Sequence, residues 1–111
     1  MNINKMRSKA AEASRLMGAL ANEKRLLILC QLVNGESSVT ELAEVLQARQ
    51  STVSQHLALL RKDGLVQTRR DAQMHYYSLA GDEARTLIES LDELYCAASR
   101  PDRKSVTLRN F

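Results

Sequence analysis

Residues 38–64 constrain the fold of this 111-residue chain more than any other stretch of its sequence. Ser38 is a typical helix N-cap, and Glu41, three residues later, completes a capping-box pattern ahead of the apolar run LAEVL. After a short break, the run STVSQHLALLRKD repeats apolar residues at helical spacing and stops at Gly64, which predicts a second helix. Two short helices joined by a few residues form the arrangement of a helix-turn-helix.

Segments on both sides of this unit complete the predicted fold. Downstream, the β-branched and aromatic residues of 65–70 and 75–79 predict two strands of a hairpin, joined by the polar run DAQM. Upstream, 5–20 predicts a helix with one apolar edge, and EKRLLILCQLV predicts a helix buried nearly all round. A last helix is predicted to begin after Gly81-Asp82 and to run to about residue 98. The sequence thus predicts a mainly α fold with a small β-hairpin, a winged helix-turn-helix of four helices, two strands and a fifth helix.

The charge pattern divides the chain into one domain and a tail. Residues 1–98 carry twelve Lys and Arg against twelve Asp and Glu, so the net charge of +3 comes from the tail 99–111. Because this tail lacks periodicity, we predict one domain over 1–98 followed by a basic, disordered segment. Within the domain, 49–75 is mainly basic and 81–94 mainly acidic. A phosphate backbone would be attracted to the first surface and repelled by the second.

The second helix of the motif and the hairpin carry the candidate contacts to double-stranded DNA. In a winged helix-turn-helix, that helix places its N-terminal residues against base edges in the major groove. Gln55 can pair its amide with adenine, and small hydroxyl side chains can contact bases or phosphates. The hairpin would touch the neighbouring backbone or minor groove. The predicted DNA-binding residues are Arg49, Ser51, Thr52, Ser54, Gln55, His56, Arg69, Arg70 and Gln73.

Three other classes of protein compete with this interpretation. A helical domain could carry the same polar face merely solvated, and a protein-interaction module would explain the apolar last helix but leave the basic hairpin without a role. An enzyme fits less well, because the chain has no CxxC pair, no GxSxG run and only four scattered glycines. We therefore expect neither catalysis nor a cofactor.

Several runs of the chain, namely NEKRLLIL, SVTELAEVL and STVSQHLALLRKDGLV with the hairpin that follows, resemble the ArsR-type bacterial repressors. The resemblance covers about residues 15–97, and STVSQHL resembles that family's recognition helix. It implies a homodimer whose first and last helices form the interface and which binds an inverted-repeat operator. It also implies that a ligand or a chemical modification controls operator affinity. We expect such a protein to be cytoplasmic and associated with the nucleoid, with neither a signal peptide nor a membrane span.

The sequence departs from the metal-sensing members of that family. Where those proteins carry paired cysteines on the third helix, this chain reads Ser38-Val39-Thr40-Glu41-Leu42, and no hydroxyl replaces a thiolate toward a soft metal. The last predicted helix contains no histidine. His56 and His75 lack neighbours of ligand type in the sequence, so we expect no metal site.

The two cysteines, Cys30 and Cys96, match another subgroup. LILC and LYC resemble the sulfide- and persulfide-responsive repressors and the similar HlyU-type regulators, in which two cysteines at these places become linked through sulfur. That resemblance implies a redox- or sulfur-sensing pair with reactive sulfur species as the effector. From the residues alone, Cys30 lies on an apolar stripe, so an inert buried thiol is an alternative. A second alternative is a HlyU-like activator that displaces a silencing protein, with the cysteines redox-sensitive or only structural.

Overall fold

The computed structural model describes residues 1–96 of the chain. Five helices and three short strands follow one another in the order helix, helix, strand, helix, helix, strand, strand, helix. The elements are α1 (Ile3–Leu20), α2 (Glu23–Val33), β1 (Ser37–Ser38), α3 (Val39–Leu46), α4 (Gln50–Lys62), β2 (Val66–Asp71), β3 (Met74–Leu79) and α5 (Glu83–Tyr95).

Side-chain caps set the starts of three helices. Asn2 caps α1, so that helix begins two residues earlier than the sequence predicts. The Asn22 side chain accepts a 3.1 Å hydrogen bond from the Arg25 amide at the start of α2. At α3 the predicted capping box is confirmed, because Ser38 accepts from the Glu41 amide while the Glu41 carboxylate accepts from the Ser38 amide. Each cap satisfies backbone N–H groups that a helix leaves unpaired.

The helix-turn-helix is confirmed as α3 and α4. Gln47 closes α3 in the left-handed region at a φ of 54°, and the three residues 47–49 then connect it to α4. The predicted inward face of α4 is also confirmed, since Val53, Leu57 and Leu60 are buried. These side chains join the core formed mainly by Ile28, Leu29, Leu32, Leu42, Leu65, Val66, Leu79, Ala84 and Ile88. The same core thus contains side chains of α1, α2 and α5, of the helix-turn-helix and of the base of the hairpin.

The hairpin is tighter than the sequence predicts and belongs to a larger sheet. Asp71 pairs with Met74, so the turn consists only of Ala72 and Gln73, and Ala72 takes a φ of 57°. The strand β1 was not predicted, and it pairs antiparallel with β3 to give the strand order β1-β3-β2. Because β1 leads directly into α3, this third strand attaches the hairpin to the helix-turn-helix.

The prediction that α2 is buried nearly all round is wrong for a single chain. Leu27 is 46% exposed and Cys30 is exposed as well, because α3 and α5 cover that side of the helix only in part. On α5, Ala84 and Ile88 are buried, whereas Tyr95 at its end is exposed. This helix ends at Tyr95 with Cys96 as its C-cap. Residues 97 and 98 of the predicted helix, and the tail 99–111, lie outside the described residues.

Candidate DNA-binding surface and cysteine site

The first half of α4 presents a polar surface. Ser51, Ser54 and Gln55 are exposed, and Thr52 is half-buried, while Val53, Leu57 and Leu60 of the same helix point into the core. Arg49 occupies the N-cap position without a side-chain cap hydrogen bond. The backbone N–H groups of the first turn therefore stay available to an outside acceptor, and the helix dipole favours an anion there. This face can place hydroxyl, amide and backbone donors against a nucleic acid.

His56 lies apart from that polar face. Its Nδ1 atom is buried and has no hydrogen-bond partner, and the residue is only half-exposed. Burial lowers the pKa of the imidazole, and the nearby charges of Arg25 and Lys24 lower it further. These neighbours belong to α2, so His56 lies at the contact between α2 and α4. His56 is therefore not one of the DNA contacts that we propose.

The two arginines of the hairpin lie on opposite faces of the sheet. Side chains alternate along a strand, so Arg69 shares a face with its pairing partner Tyr76, and Arg70 shares the other face with His75. Arg69 makes a bidentate ion pair with Glu36, with Nη2 2.5 Å from Oε1. Arg70 is exposed and donates through Nε to the Ala72 carbonyl of the turn at 3.1 Å. The sequence predicts two equivalent phosphate contacts, whereas the surroundings of the two arginines differ.

A polar notch of about 360 Å³ lies between the hairpin and the helix-turn-helix. Thr40 from the start of α3, Ser54 from α4, and Gln73 and His75 from the hairpin line it. The fold therefore brings predicted DNA-binding residues of two separate segments to one surface. This arrangement gives an elongated partner a continuous set of donors from the recognition helix to the hairpin.

The two cysteines lie on helices that pack against each other. Cys30 lines a groove of about 510 Å³ between α2, α3 and α5, together with Leu27, Val45 and Asp92. Its thiol is exposed at the surface, yet partial burial in the groove raises its pKa, and the charges of Cys96 and Asp92 raise it further. Cys96 is the C-cap of α5, the helix that packs against α2. At the end of α5, the Cys96 amide donates to the Asp92 carbonyl at 2.7 Å.

Neither cysteine is an inert core residue in the single chain, because both are exposed. The alternative of a fully buried Cys30 thiol is thus wrong for this structure.

Within residues 1–96, no three His, Cys, Asp or Glu side chains come together as metal ligands would. Among the helices of the same range, none combines the length and the apolar character that a membrane span requires.

Comparison with known proteins identifies the family to which the chain belongs. Residues 22–68, which contain α2, the helix-turn-helix and the start of the hairpin, match the model of the bacterial regulatory proteins of the arsR family. The transcriptional activator HlyU of Vibrio cholerae is 49% identical over 100 residues, covering 90% of this chain and 93% of that protein. The chain belongs to the ArsR family.

Other relatives of this ArsR-family chain include a repressor. The biofilm growth-associated repressor of Agrobacterium fabrum is 46% identical over 92 residues, covering 83% of this chain and 79% of the relative. The crystal structure of HlyU from Vibrio vulnificus has a TM-score of 0.79 at 52% identity, covering 86% of this chain and all of that one. The chain is accordingly a transcriptional regulator with a winged helix-turn-helix and is not an enzyme.

A further solved structure shows how a relative assembles. It is a homodimeric winged helix-turn-helix DNA-binding domain from Mycobacterium bovis, 30% identical, with a TM-score of 0.70, covering 85% of this chain and 87% of that one. In this chain, apolar residues of α1 recur at alternating spacings of three and four, namely Ile3, Met6, Ala10, Ala13 and Met17. That spacing is typical of a helix that packs against another helix.

Sequence reasoning missed three residues of the site. Glu36 pairs with Arg69, 33 positions away, and no local pattern links them. Arg85, on α5, donates to the Val33 carbonyl of α2 across 52 positions. Asp92 stands four residues before Cys96, one helical turn away, so its proximity to that cysteine was open to prediction. Its effect on Cys30 depends on how α2 and α5 pack.

Proposed function

We propose that this chain is a homodimeric regulator that binds an inverted-repeat operator in double-stranded DNA and loses operator affinity when Cys30 and Cys96 are linked through sulfur. The observation that carries the DNA-binding part is the exposed polar face of α4 beside the notch that reaches the hairpin. The residues that we expect to contact DNA are Arg49, Ser51, Thr52, Ser54, Gln55, Arg70 and Gln73. Among these, Gln55 reads a base and Arg70 meets the phosphate backbone.

The homodimer is supported by surface that one chain leaves uncovered. Ile3 and Met17 on α1 are 64% and 63% exposed, and Leu94 and Tyr95 near the end of α5 are exposed too. A two-fold interface would bury such a surface against its own copy. Two recognition helices related by that axis match half-sites about 34–36 Å apart, roughly one turn of DNA. An inverted repeat is the sequence that offers both helices the same contacts.

DNA binding is tested with duplexes selected by the wild-type protein from a random-sequence pool. Gln55→Ala should narrow the difference in affinity between selected and random duplexes, because one good base contact contributes about 1–3 kcal/mol of discrimination. Gln67→Ala is the matched control, since this amide is exposed on the outer face of β2. A Gln55→Ala protein that keeps the wild-type preference contradicts the assigned base contact. Failure of the wild type to enrich any duplex would contradict DNA binding altogether.

The sulfur switch is supported by the two exposed thiols on neighbouring helices and by the groove beside Cys30. A thiolate of one cysteine attacks the terminal sulfur of a hydropersulfide RSSH, forming a protein persulfide and releasing RS⁻. The second thiolate then attacks the protein-bound sulfur of that persulfide and expels HS⁻. Two protein thiols and one RSSH give one disulfide, one RSH and one H₂S. A second RSSH instead leaves an additional sulfur atom in the bridge and yields another RSH.

Such a bridge would change how α5 packs on α2. Because we place α5 in the dimer interface, that change would alter the separation of the two recognition helices. Misalignment of both half-sites together can cost the 1–3 kcal/mol typical of coupling between two sites, which is about 5–150-fold in affinity. The reactive sulfur species would modify the cysteines, and the resulting change would be measured as a loss of operator affinity.

The switch is tested by intact-protein mass spectrometry after treatment with a persulfide donor, beside a DNA-binding titration. Wild type should gain an intrachain Cys30–Cys96 bridge and lose affinity, whereas Cys30→Ser and Cys96→Ser should each stay bound to DNA. Zinc and arsenite should have little effect on any of the three. A bridge without loss of affinity, or no bridge at all, contradicts the switch and leaves DNA binding intact.

Two relatives support different directions of regulation. Similarity to the Agrobacterium fabrum repressor favours direct repression. We expect the protein to act in the cytoplasm on chromosomal DNA. Similarity to the Vibrio cholerae activator HlyU supports a second candidate, transcriptional activation. We propose that activation would then occur by displacement of a silencing protein. Transcription in vitro from a promoter carrying the selected operator distinguishes them. Direct repression lowers transcript yield on bare DNA, and displacement raises it only when a silencer is bound first.

A further inference from the structure

We infer that Glu36 and Arg69 are positioning residues that brace the hairpin against the helix-turn-helix, and that Arg69 is not a phosphate contact. This inference rests on the proposed DNA-binding function. It concerns how the hairpin is held at the angle that DNA requires. The charge pattern assigns both hairpin arginines to the DNA backbone, whereas under this inference only Arg70 contacts a phosphate.

The Arg69 side chain crosses the outer face of the three-stranded sheet. It starts on the edge strand β2, directly opposite Tyr76 on the central strand, and its Cζ lies 4.7 Å from the centre of the Tyr76 ring. Beyond that ring, Nε donates to both carboxylate oxygens of Glu36 at 3.1 and 3.0 Å. Glu36 stands two residues before Ser38, which pairs with Tyr76 from the other edge. One side chain therefore connects both edges of the sheet.

The position of Glu36 explains why this ion pair matters for the motif. Glu36 precedes β1, and α3 begins directly after that two-residue strand. A ladder of two residue pairs is a short attachment for a hairpin whose own strands pair over six residues each. Because Arg69 holds β2 to the chain just ahead of α3, the brace limits rotation of the hairpin relative to α3 and α4. Stacking on Tyr76 restricts the guanidinium further.

The same interactions make Arg69 a poor partner for phosphate. Its Nε and Nη2 point at Glu36, and Nη1 lies 3.8 Å from the Asp71 carboxylate. Two carboxylates thus offset its single positive charge. Arg70 differs, because it lies on the opposite face and forms no ion pair within the part of the chain that the structure describes. Its guanidinium donates one hydrogen bond, to the Ala72 carbonyl, which leaves its charge uncompensated.

The experiment measures operator affinity against salt concentration, because the log–log slope falls by about 0.9 for each phosphate that the protein no longer neutralises. We expect Arg69→Gln and Glu36→Gln each to weaken binding by roughly threefold to tenfold with an unchanged slope. The double variant should be no weaker than either single one, because both remove the same interaction. Arg70→Gln should instead lower the slope by about 1.8, since a dimer carries this arginine twice.

Asp71→Asn is the control for removal of a negative charge from the hairpin. It should bind as well as the wild type or more tightly, which is opposite to the expected effect of Glu36→Gln. The brace is contradicted if Arg69→Gln lowers the slope while Glu36→Gln tightens binding, or if the two effects add in the double variant. Equally weakened binding in Glu36→Gln and Asp71→Asn would also overturn it. Failure of the wild type to bind selected DNA would contradict the proposed function instead.

Discussion

Arg85 on α5 donates a hydrogen bond of 3.2 Å from Nη1 to the main-chain carbonyl of Val33, the last residue of α2. The final carbonyls of a helix have no partner within the helix, and a cation there also offsets the negative end of the helix dipole. The hydrogen bond therefore ties the two helices that carry the cysteines, one turn beyond Cys30.

Removal of this hydrogen bond should loosen the α2–α5 pair. We expect Arg85→Ala to lower the free energy of unfolding by about 1 kcal/mol, because a half-buried carbonyl loses a charged donor. Urea unfolding at fixed protein concentration provides the measurement. Arg61→Ala serves as the control, since Arg61 is exposed on α4. Equal effects of the two substitutions would argue that the hydrogen bond to Val33 contributes nothing specific.

The capping box should be the most important local determinant of α3. Ser38→Ala removes the side-chain acceptor for the Glu41 amide at 3.2 Å, and we expect a decrease of about 1 kcal/mol in unfolding free energy. Thr40→Ala removes a hydroxyl from an exposed position of the same helix and should cost less than half as much. Chemical denaturation compares the two variants. A larger decrease for Thr40→Ala would show that capping does not determine the stability of α3.

The proposed dimer predicts which apolar residues can accept a charge. Met17→Glu should shift sedimentation at micromolar concentration toward the monomer, because it buries a carboxylate in the interface. Val45→Glu, on α3, is matched in exposure but lies on the far side of the groove beside Cys30 and should leave the dimer intact. The opposite pattern, a monomeric Val45→Glu and a dimeric Met17→Glu, would place the interface elsewhere.

The charge of Asp92 should slow thiol chemistry at Cys30. Burial, Cys96 and Asp92 all raise the pKa of this thiol, so less of it is thiolate at neutral pH. Asp92→Asn removes one of these causes, and the pH profile of Cys30 alkylation by iodoacetamide should move to lower pH. Peptide mapping by mass spectrometry isolates the Cys30 signal. Glu89→Gln changes another acidic residue of the same groove and should shift the profile less.

His56 should make stability depend on pH. Its pKa in the folded protein lies below the ordinary value of 6.5, so the unfolded chain binds the proton more readily. The folded state should therefore lose stability as the pH falls through 6.5 toward the lowered pKa. In His56→Gln, the difference in urea midpoint between pH 7.5 and 5.5 should shrink. His75→Gln, which replaces an exposed histidine, is the matched control, and an equal change in both variants would contradict the assignment to His56.

The sequence by itself determined the elements that depend on near neighbours. Helix caps join residues two or three apart, and an apolar repeat of three and four places side chains on one helix face regardless of what covers it. For this reason the Ser38–Glu41 box, the inward face of α4 and the stop at Gly64 were all predictable. The resemblance to the ArsR family rested on the same local runs and was confirmed by the comparisons.

Tertiary structure alone decided the relationships that join distant residues. The pairing of β1 with β3, the reach of Arg69 to Glu36 and the burial of the His56 Nδ1 depend on which faces of different elements meet. The exposure of Cys30 was misjudged because an apolar stripe shows that a face should be covered and does not show by what. Within the described part of one chain, α3 and α5 leave it exposed in a groove. Helix periodicity specifies a direction from the helix axis, whereas burial requires a second surface.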